Sequence, residues 1–337
     1  MEKVVTTAPT HRRIGLGRRL RRGRGLLVGR QELIVFLLLL AAGTALSLGT
    51  ETFFTSTNLL NVALYVSWFA IAAFGAGIAI IVGGIDLSVG SVMALAGLVC
   101  AIALQEGLPL WAAIGLGLLS GLLVGLINGA LVGRFHLPPF IVTLGTMGLA
   151  RGITLGLTSG APVRDLPASF RLLGQGDVAI GWLSLPLPVF WVMLLATLVS
   201  LLLHQTVLGR YIYAVGSDER ALMIVGVPTA RVKLLAYTLS SLLAAIGGIV
   251  MTAKLGVAAP TAATGYELDI IAAAVIGGAS LFGGEGTVTG IILGTVLMQT
   301  ARNGLVLLGL PTFWQWLTIG AMILLVIMLD LWRRRRA

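Results

Sequence analysis

A single acidic residue lies between two long apolar segments in the stretch Gly83-Gly84-Ile85-Asp86-Leu87-Ser88-Val89-Gly90-Ser91. The flanking segments, 59–82 and 88–104, contain no charged side chain. A carboxylate among such neighbours costs free energy unless it is paired, hydrogen-bonded or used in function. Asp86 is therefore a candidate functional residue. The glycines around it indicate an interruption between two apolar helices.

The composition is that of an integral membrane protein. Of the 337 residues, 57% are hydrophobic and 11% are charged, whereas about a quarter of a soluble domain is charged. The length suffices for roughly ten spans of about 20 residues, which predicts an all-α polytopic bundle without a separate soluble domain. The glycine-rich regions 83–90 and 277–290 are either short cytoplasmic turns or re-entrant breaks. The predicted spans are 33–49, 59–82, 88–104, 110–133, 139–157, 187–205, 234–253, 267–282, 286–302 and 313–331.

The formal charge of +10 is concentrated at the two ends of the chain. Nine of the 23 basic residues precede the first apolar run, and four more form the run 333–336. Because basic residues beside spans favour the cytoplasmic side, the tails 1–32 and 332–337 are predicted to be cytoplasmic, flanking one transmembrane domain at 33–331. This topology requires an even number of spans and explains the basic charge without a nucleic-acid partner.

The first apolar run has a second interpretation. A basic leader, the run 33–49 and the sequence Ala45-Leu46-Ser47 together resemble a cleaved signal peptide. A retained first span is preferred, because removing it would leave an odd number of spans and move the C-terminal arginines to the other side of the membrane.

Sequence motifs for catalysis are absent. The sequence contains no P-loop, no His-Glu-x-x-His and no Ser or Cys nucleophile beside a plausible base. The three histidines lack ligand spacing, so no metal site is predicted, and the single Cys100 is expected to be buried. The chain is better suited to conducting a solute than to catalysis.

The longest loop on the predicted cytoplasmic side is 206–233, which is net basic. Ser217 or Asp218 is suited to cap a short helix that reaches Val225 and stops at Gly226. That helix would expose an apolar segment, 221–225, between basic flanks. We interpret it as a docking element for a soluble partner; the alternative is a helix lying on lipid headgroups.

Four motifs in fixed order resemble the permease subunit of bacterial ABC importers for monosaccharides, whose members include ribose, xylose, galactose and autoinducer-sugar permeases. The resemblance covers about residues 33–331. Its motifs are Gly84-Ile85-Asp86-Leu87-Ser88-Val89-Gly90-Ser91, then Pro139-Phe140-Ile141-Val142-Thr143-Leu144-Gly145-Thr146 with Arg151-Gly152, then Gly209-Arg210-Tyr211 through Gly226-Val227, and finally Gly277-Gly278-Ala279-Ser280-Leu281-Phe282-Gly283-Gly284-Glu285-Gly286.

The resemblance implies a complex in the bacterial inner membrane. A second permease subunit, identical or different, would complete the pore, two cytoplasmic subunits would bind ATP and Mg²⁺, and an extracytoplasmic protein would deliver the sugar. This chain would hold no cofactor and hydrolyse nothing. Arg220 and Leu222 depart from the family pattern of the segment that contacts the ATPase. The residues of that segment are Gly216, Asp218, Glu219, Ala221, Leu222, Met223 and Gly226.

Two further groups of residues are candidates for the transport pathway. A neutral sugar needs hydrogen-bonding partners rather than a strong charge, and the polar span residues suited to this are Asn61, Ser88, Thr143, Thr146 and Asn303. Charged residues at or inside span ends are predicted to serve gating or structural pairing, with Arg151 a possible partner for an acid on another span. These charged residues are Asp86, Arg151, Glu267, Asp269, Glu285 and Arg302.

Two other transport functions remain open. A branched-chain amino-acid permease of the ABC type would share the dependence on a separate ATPase. A self-sufficient secondary transporter would lack that dependence and is expected to carry more acidic or polar residues at mid-span. The exposed cytoplasmic helix favours the first two possibilities, and the sequence does not identify the sugar.

Overall fold

The computed structural model describes residues 16–180, 183–311, 313–318, 320–321, 324 and 328. Residues 313–318 are helical. A two-stranded antiparallel hairpin pairs β1 (Asp177–Ile180) with β2 (Leu183–Pro186). The helices with defined bounds are α1 (Leu16–Gly49), α2 (Ser56–Ile81), α3 (Val89–Gln105), α4 (Leu110–Gly133), α5 (Pro139–Thr158), α6 (Ala168–Gln175), α7 (Leu187–Gln205), α8 (Val207–Ser217), α9 (Glu219–Ile224), α10 (Thr229–Leu255), α11 (Tyr266–Ile276) and α12 (Val288–Leu307).

Helix α2 forms the centre of the bundle. Thr55 caps it by accepting a hydrogen bond from the Asn58 amide, and its residues from 67 to 81 are all buried. Glycines let α10 pack antiparallel against it: Gly75 lies on the backbone of Ser240, and a Cβ on Gly247 would come within 2.9 Å of the Trp68 carbonyl oxygen. Within the described part of the chain, seven helices are long and apolar enough to cross a membrane. The predicted all-α polytopic fold is confirmed.

The bundle has two ends, which we name by the elements they carry. At the α9 end, α2 stops, α3, α5 and α10 begin, and Gly84 packs against Tyr237 and Pro139. The Gly284 amide also donates to the Ile81 carbonyl there, at 2.8 Å. At the opposite, hairpin end, Gly174 of α6 lies against Lys254 near the end of α10. Successive long helices run between these ends in alternating directions.

The prediction of a full-length span at 267–282 is wrong. Helix α11 has 11 residues, about 16 Å, which is half of the roughly 30 Å hydrocarbon thickness. The Tyr266 ring lies 4.6 Å from that of Phe69, midway along α2. The chain therefore returns from the hairpin end through the irregular segment 256–265 and becomes helical only in the middle of the bundle. Apolar composition did not distinguish this arrangement from a continuous helix.

Other predicted boundaries differ more modestly. The predicted span 286–302 is α12, which extends to Leu307, and the predicted span 234–253 is α10, which begins at Thr229. The first span belongs to α1, whose helix extends into the predicted N-terminal tail. Helix α6 and the hairpin lie in the segment 158–186, for which no elements were predicted. About half of the predicted span 313–331 lies outside the described residues, and the part at 313–318 is helical.

Candidate functional site

Asp86 is fully buried in the turn between α2 and α3, three residues before α3 begins. One carboxylate oxygen accepts from the backbone amide of Ser88 at 2.9 Å and from the Ser88 hydroxyl at 2.5 Å. The other accepts from the Ser240 hydroxyl of α10 at 2.8 Å. Three donors therefore satisfy the carboxyl group, which joins the α2–α3 turn to α10.

The polar network continues into α4 and α5. The Asn128 amide of α4 donates to the Ser88 hydroxyl at 3.0 Å and accepts from the Thr146 hydroxyl at 2.7 Å. The Thr143 hydroxyl donates to the Ile85 carbonyl at 3.1 Å. The candidate pathway residues Ser88, Thr143 and Thr146 are thus buried together inside one chain. Sequence reasoning missed Asn128, an amide in a span otherwise made of apolar and small residues.

The two glycine-rich regions contact each other at the α9 end. The 82–84 turn lies at the end of α2, and a second turn connects α11 to α12. In that second turn, the Glu285 carbonyl accepts from the Ser280 amide at 3.1 Å, and Gly286 packs on the Ile81 side chain with a positive φ of 152°. Both regions are therefore turns at the α9 end of the bundle. Of the two, only the first reaches into the interior, where Asp86 and its neighbours lie between the helices.

Helix α8 packs directly on these turns. Gly216 lies against the Ile81 carbonyl and against Gly284, and the Tyr213 hydroxyl donates to the Gly286 carbonyl at 2.7 Å. Burial raises the pKa of Tyr213 to about 12, so the phenol remains a neutral donor near pH 7. Helix α8 thus connects the turns to the loop beyond it.

The short helix predicted in that loop is present as α9. Asp218 caps it by accepting from the Ala221 amide at 3.0 Å, and Gly226 ends it with a positive φ of 81°. Lys233 of α10 holds Glu219 through an ion pair of 2.6 Å. Ile224 is 86% exposed and Val225 is 71% exposed, while Ala221 and Met223 are exposed and Leu222 is half-buried. The helix is anchored at its first turn and presents apolar side chains at its end.

Arg151 of α5 supports the irregular segment that precedes α11. Its guanidinium donates to the carbonyls of Pro260 and Ala262, both at 2.8 Å. Backbone carbonyls inside a membrane need such partners. The Arg151 guanidinium also interacts electrostatically with the Glu267 carboxylate of α11, an acid on another helix as predicted. Glu267, in the first turn of α11, lies against Gly90 of α3.

The remaining predicted residues meet between α2, α11 and α12. Asp269 and Arg302 form an ion pair of 2.8 Å. Asn303 and Asn58 exchange two side-chain hydrogen bonds, of 2.8 and 3.1 Å. Asn61 lies on the same end of α2 and is exposed.

A cavity of about 290 Å³ opens beside this ion pair. Val62 and Val306 supply apolar wall, and its other lining residues are Tyr65, Tyr266, Gln299, Arg302, Asn303 and Gln315. Sequence reasoning found Arg302 and Asn303 but missed the two tyrosines and the two glutamines. Polar side chains in otherwise apolar helices could have pointed to these four residues. Nothing in the sequence, however, shows that positions 65 and 315 lie close together.

Comparison with known proteins identifies the family. A family model described as the permease component of the branched-chain amino acid transport system matches residues 58–327. The chain belongs to this permease family. The ribose import permease of Bacillus subtilis is 39% identical over 89% of this chain and 92% of its own. The D-allose transport system permease of Escherichia coli is 35% identical over 84% and 86%, respectively. No solved structure matches.

The four sequence motifs of this permease converge at the α9 end. The first forms the α2–α3 turn, the second begins α5, the third spans α8 and α9, and the fourth forms the α11–α12 turn. Contacts between Gly84 and Pro139 and between Gly216 and Gly284 join neighbouring motifs. The resemblance inferred from these motifs is confirmed, and its most specific residues form one connected region.

Proposed function

We propose that this permease carries a monosaccharide across the bacterial inner membrane as the transmembrane subunit of an ATP-driven importer. The observation that carries the proposal is similarity along nearly the whole chain to permeases named for sugars. The xylose transport permease of Haemophilus influenzae, 31% identical over 89% of this chain, adds a third such relative. The family description, which names branched-chain amino acids, supports an amino-acid permease as the second candidate.

ATP binding and hydrolysis belong, in this proposal, to two separate cytoplasmic subunits that use Mg²⁺. The exposed apolar end of α9 supports docking there, since water-exposed Ile224 and Val225 gain free energy when a partner covers them. Movement of α9 would reach the bundle through Gly216, which touches both glycine turns. The proposed ATPase contacts remain Gly216, Asp218, Glu219, Ala221, Leu222, Met223 and Gly226.

The α9 end faces the cytoplasm in this proposal, and both chain termini lie on that side. Arg134, Arg210, Arg231 and Lys233 support the orientation, because loops at this end are basic. The hairpin end would then receive the sugar from an extracytoplasmic binding protein. A second permease subunit, identical or different, would complete the pathway.

The candidate residues divide into two levels along that pathway. Asn61 and Asn303 lie toward the hairpin end and are suited to contact the solute. Ser88, Thr143 and Thr146 lie deeper, in the Asp86 network, and would set how α3, α5 and α10 move relative to one another. Glu285 would adjust the turn that α8 contacts, and Arg151, Glu267, Asp269 and Arg302 would hold α11 in place.

Reconstitution tests the proposed function. The permease is placed in liposomes with its ATP-binding and sugar-binding partners, and uptake of radiolabelled D-ribose, D-allose, D-xylose and L-leucine is measured with and without ATP. We expect ATP-dependent uptake of at least one sugar and none of leucine. A Walker-lysine substitution in the ATPase is the control. ATP-independent sugar uptake by the permease alone would indicate a secondary transporter, and selective leucine uptake would indicate the amino-acid function.

A further inference from the structure

We infer that the cavity between α2, α11 and α12 is a binding site for one neutral monosaccharide during its passage. This inference rests on the proposed function and assigns a place and a set of contacts to it. The cavity extends from the level where α11 begins, midway along α2, toward the hairpin end, because Val62 lies in the first third of α2 and Val306 lies one residue before the end of α12. In secondary transporters, solute sites commonly lie where a helix is interrupted.

Gln299 provides the main indication of a ligand. Its side chain lines the cavity although the residue is only 5% exposed, and within the described residues its amide makes no hydrogen bond. The polar atoms of Gln299 are not among the buried atoms that lack a partner, so the amide opens into the cavity, where the hydroxyl groups of a bound solute would pair with it. Gln299 can donate to one hydroxyl and accept from another, as sugar recognition requires.

The charge of the cavity is compensated. Arg302 pairs with Asp269, and its guanidinium carbon lies 5.7 Å from the centre of the Tyr266 ring. The paired carboxylate cancels the positive charge, while the guanidinium retains further N–H donors. The cavity therefore suits a neutral, hydroxylated solute better than an anion, whose charge would find no uncompensated cation there.

The remaining walls match the two kinds of surface that a sugar presents. Tyr65 and Tyr266 each combine an apolar ring with a hydroxyl group, and Val62 and Val306 contact only apolar groups. The volume of about 290 Å³ lies at the lower limit of roughly 300–1,000 Å³ for ligand sites. That size favours a monosaccharide over an oligosaccharide.

Two variants of the complete importer test the site through transport. Gln299→Leu removes the unpartnered amide at nearly constant volume, and Tyr65→Ala removes one ring. Losing hydrogen bonds or ring contact to the solute is expected to lower D-ribose uptake about tenfold or more, while ATPase activity stimulated by the binding protein persists. The matched controls are Gln205→Leu and Trp111→Ala, whose exposed side chains lie outside the cavity; both are expected to transport as the wild type does.

A labelling experiment gives an independent result. The chain has one native cysteine, Cys100, which is buried, so a thiol reagent reports mainly on a Val62→Cys variant. Labelling is measured with D-ribose, D-allose and D-xylose. The sugar that the importer carries is expected to slow labelling of this variant, whereas L-leucine and sodium acetate are not. Gln299→Leu in the same chain should abolish the protection.

The outcomes separate this inference from the proposed function. Normal uptake by both variants, with no protection of Val62→Cys by any of the three tested sugars, overturns the cavity assignment while leaving sugar import intact. Absence of ATP-driven sugar uptake in the wild type refutes the proposed function. In that case, protection of Val62→Cys by a sugar still supports binding in the cavity, and lack of protection overturns it. Protection by acetate or leucine instead of sugar also overturns the inference.

Discussion

Gly216 of α8 lies so close to Gly284 of the α11–α12 turn that a Cβ atom on Gly216 would come within 2.6 Å of the Gly284 amide nitrogen. The same Cβ would also collide with the Ile81 carbonyl at the end of α2. Three backbone segments therefore meet without side chains between them. Since backbone-to-backbone packing transmits displacement with little compression, this contact gives a route from α9, through α8, to the two glycine turns.

Gly216→Ala is expected to separate these segments. Overpacking of this kind costs about 1–3 kcal/mol, so thermal unfolding should begin at a lower temperature while the helical content persists. ATP hydrolysis by the importer should continue with reduced sugar uptake per ATP. Gly115→Ala is the control because a Cβ there meets no atom within 4 Å. Unchanged uptake per ATP in Gly216→Ala would argue against this route.

Tyr213→Phe removes the second link between α8 and the same turn. The hydrogen bond from its hydroxyl to the Gly286 carbonyl contributes about 0.5–1.5 kcal/mol. Sugar uptake per ATP should therefore fall in this variant, as in Gly216→Ala. Burial raises the pKa of Tyr213 from 10.0 to about 12. Below pH 10 the phenol is neutral in both folded and unfolded chains, and stability from this group falls only between pH 10 and 12, where the unfolded chain releases the proton. The difference in free energy of unfolding between wild type and Tyr213→Phe should therefore be constant from pH 6 to 9. A difference that varies over this range would contradict the role of Tyr213 as a neutral hydrogen-bond donor.

Asp86→Ala leaves three buried donors without an acceptor. Each unsatisfied group costs about 1–3 kcal/mol, so this variant should be among the least stable single substitutions in the bundle. Ser240→Ala removes one of the three bonds and serves as the graded comparison. Unfolding in detergent, followed by tryptophan fluorescence, measures both. A stable Asp86→Ala variant that no longer transports would instead indicate direct participation in transport.

Local chemistry explains which parts of this permease were predictable. The α9 helix was predicted because Asp218 and Gly226 supply its start and stop within nine residues. The short α11 was not, because the stability of the preceding irregular segment comes from Arg151, more than a hundred residues earlier. The cavity likewise unites residues from 62 to 315. Composition identified a membrane bundle, whereas contacts between distant helices determined its interruption and its polar sites.

Arg151→Lys tests the support of that irregular segment. A lysine keeps the charge but lacks the planar fork that reaches two carbonyls. The segment 260–264 should then open more often, and a cysteine at the exposed position Thr264 should react several-fold faster with a thiol reagent. Arg134→Lys, at an exposed position just after α4 at the other end of the bundle, controls for a general effect of the substitution. Equal labelling rates in both backgrounds would show that Arg151 does not restrain the segment.

Ile224→Ser examines whether α9 docks a soluble partner. Because Ile224 is 86% exposed, the isolated permease should unfold at the same temperature with either residue. Losing burial of this side chain at an interface is expected to cost about 1.5–3 kcal/mol, which weakens ATPase association roughly tenfold or more. Association is measured by titrating the ATP-binding subunit onto the permease in nanodiscs. Leu198→Ser, on the exposed surface of α7, should leave association unchanged, and equal affinities for all three proteins would instead favour a helix that lies on the membrane surface.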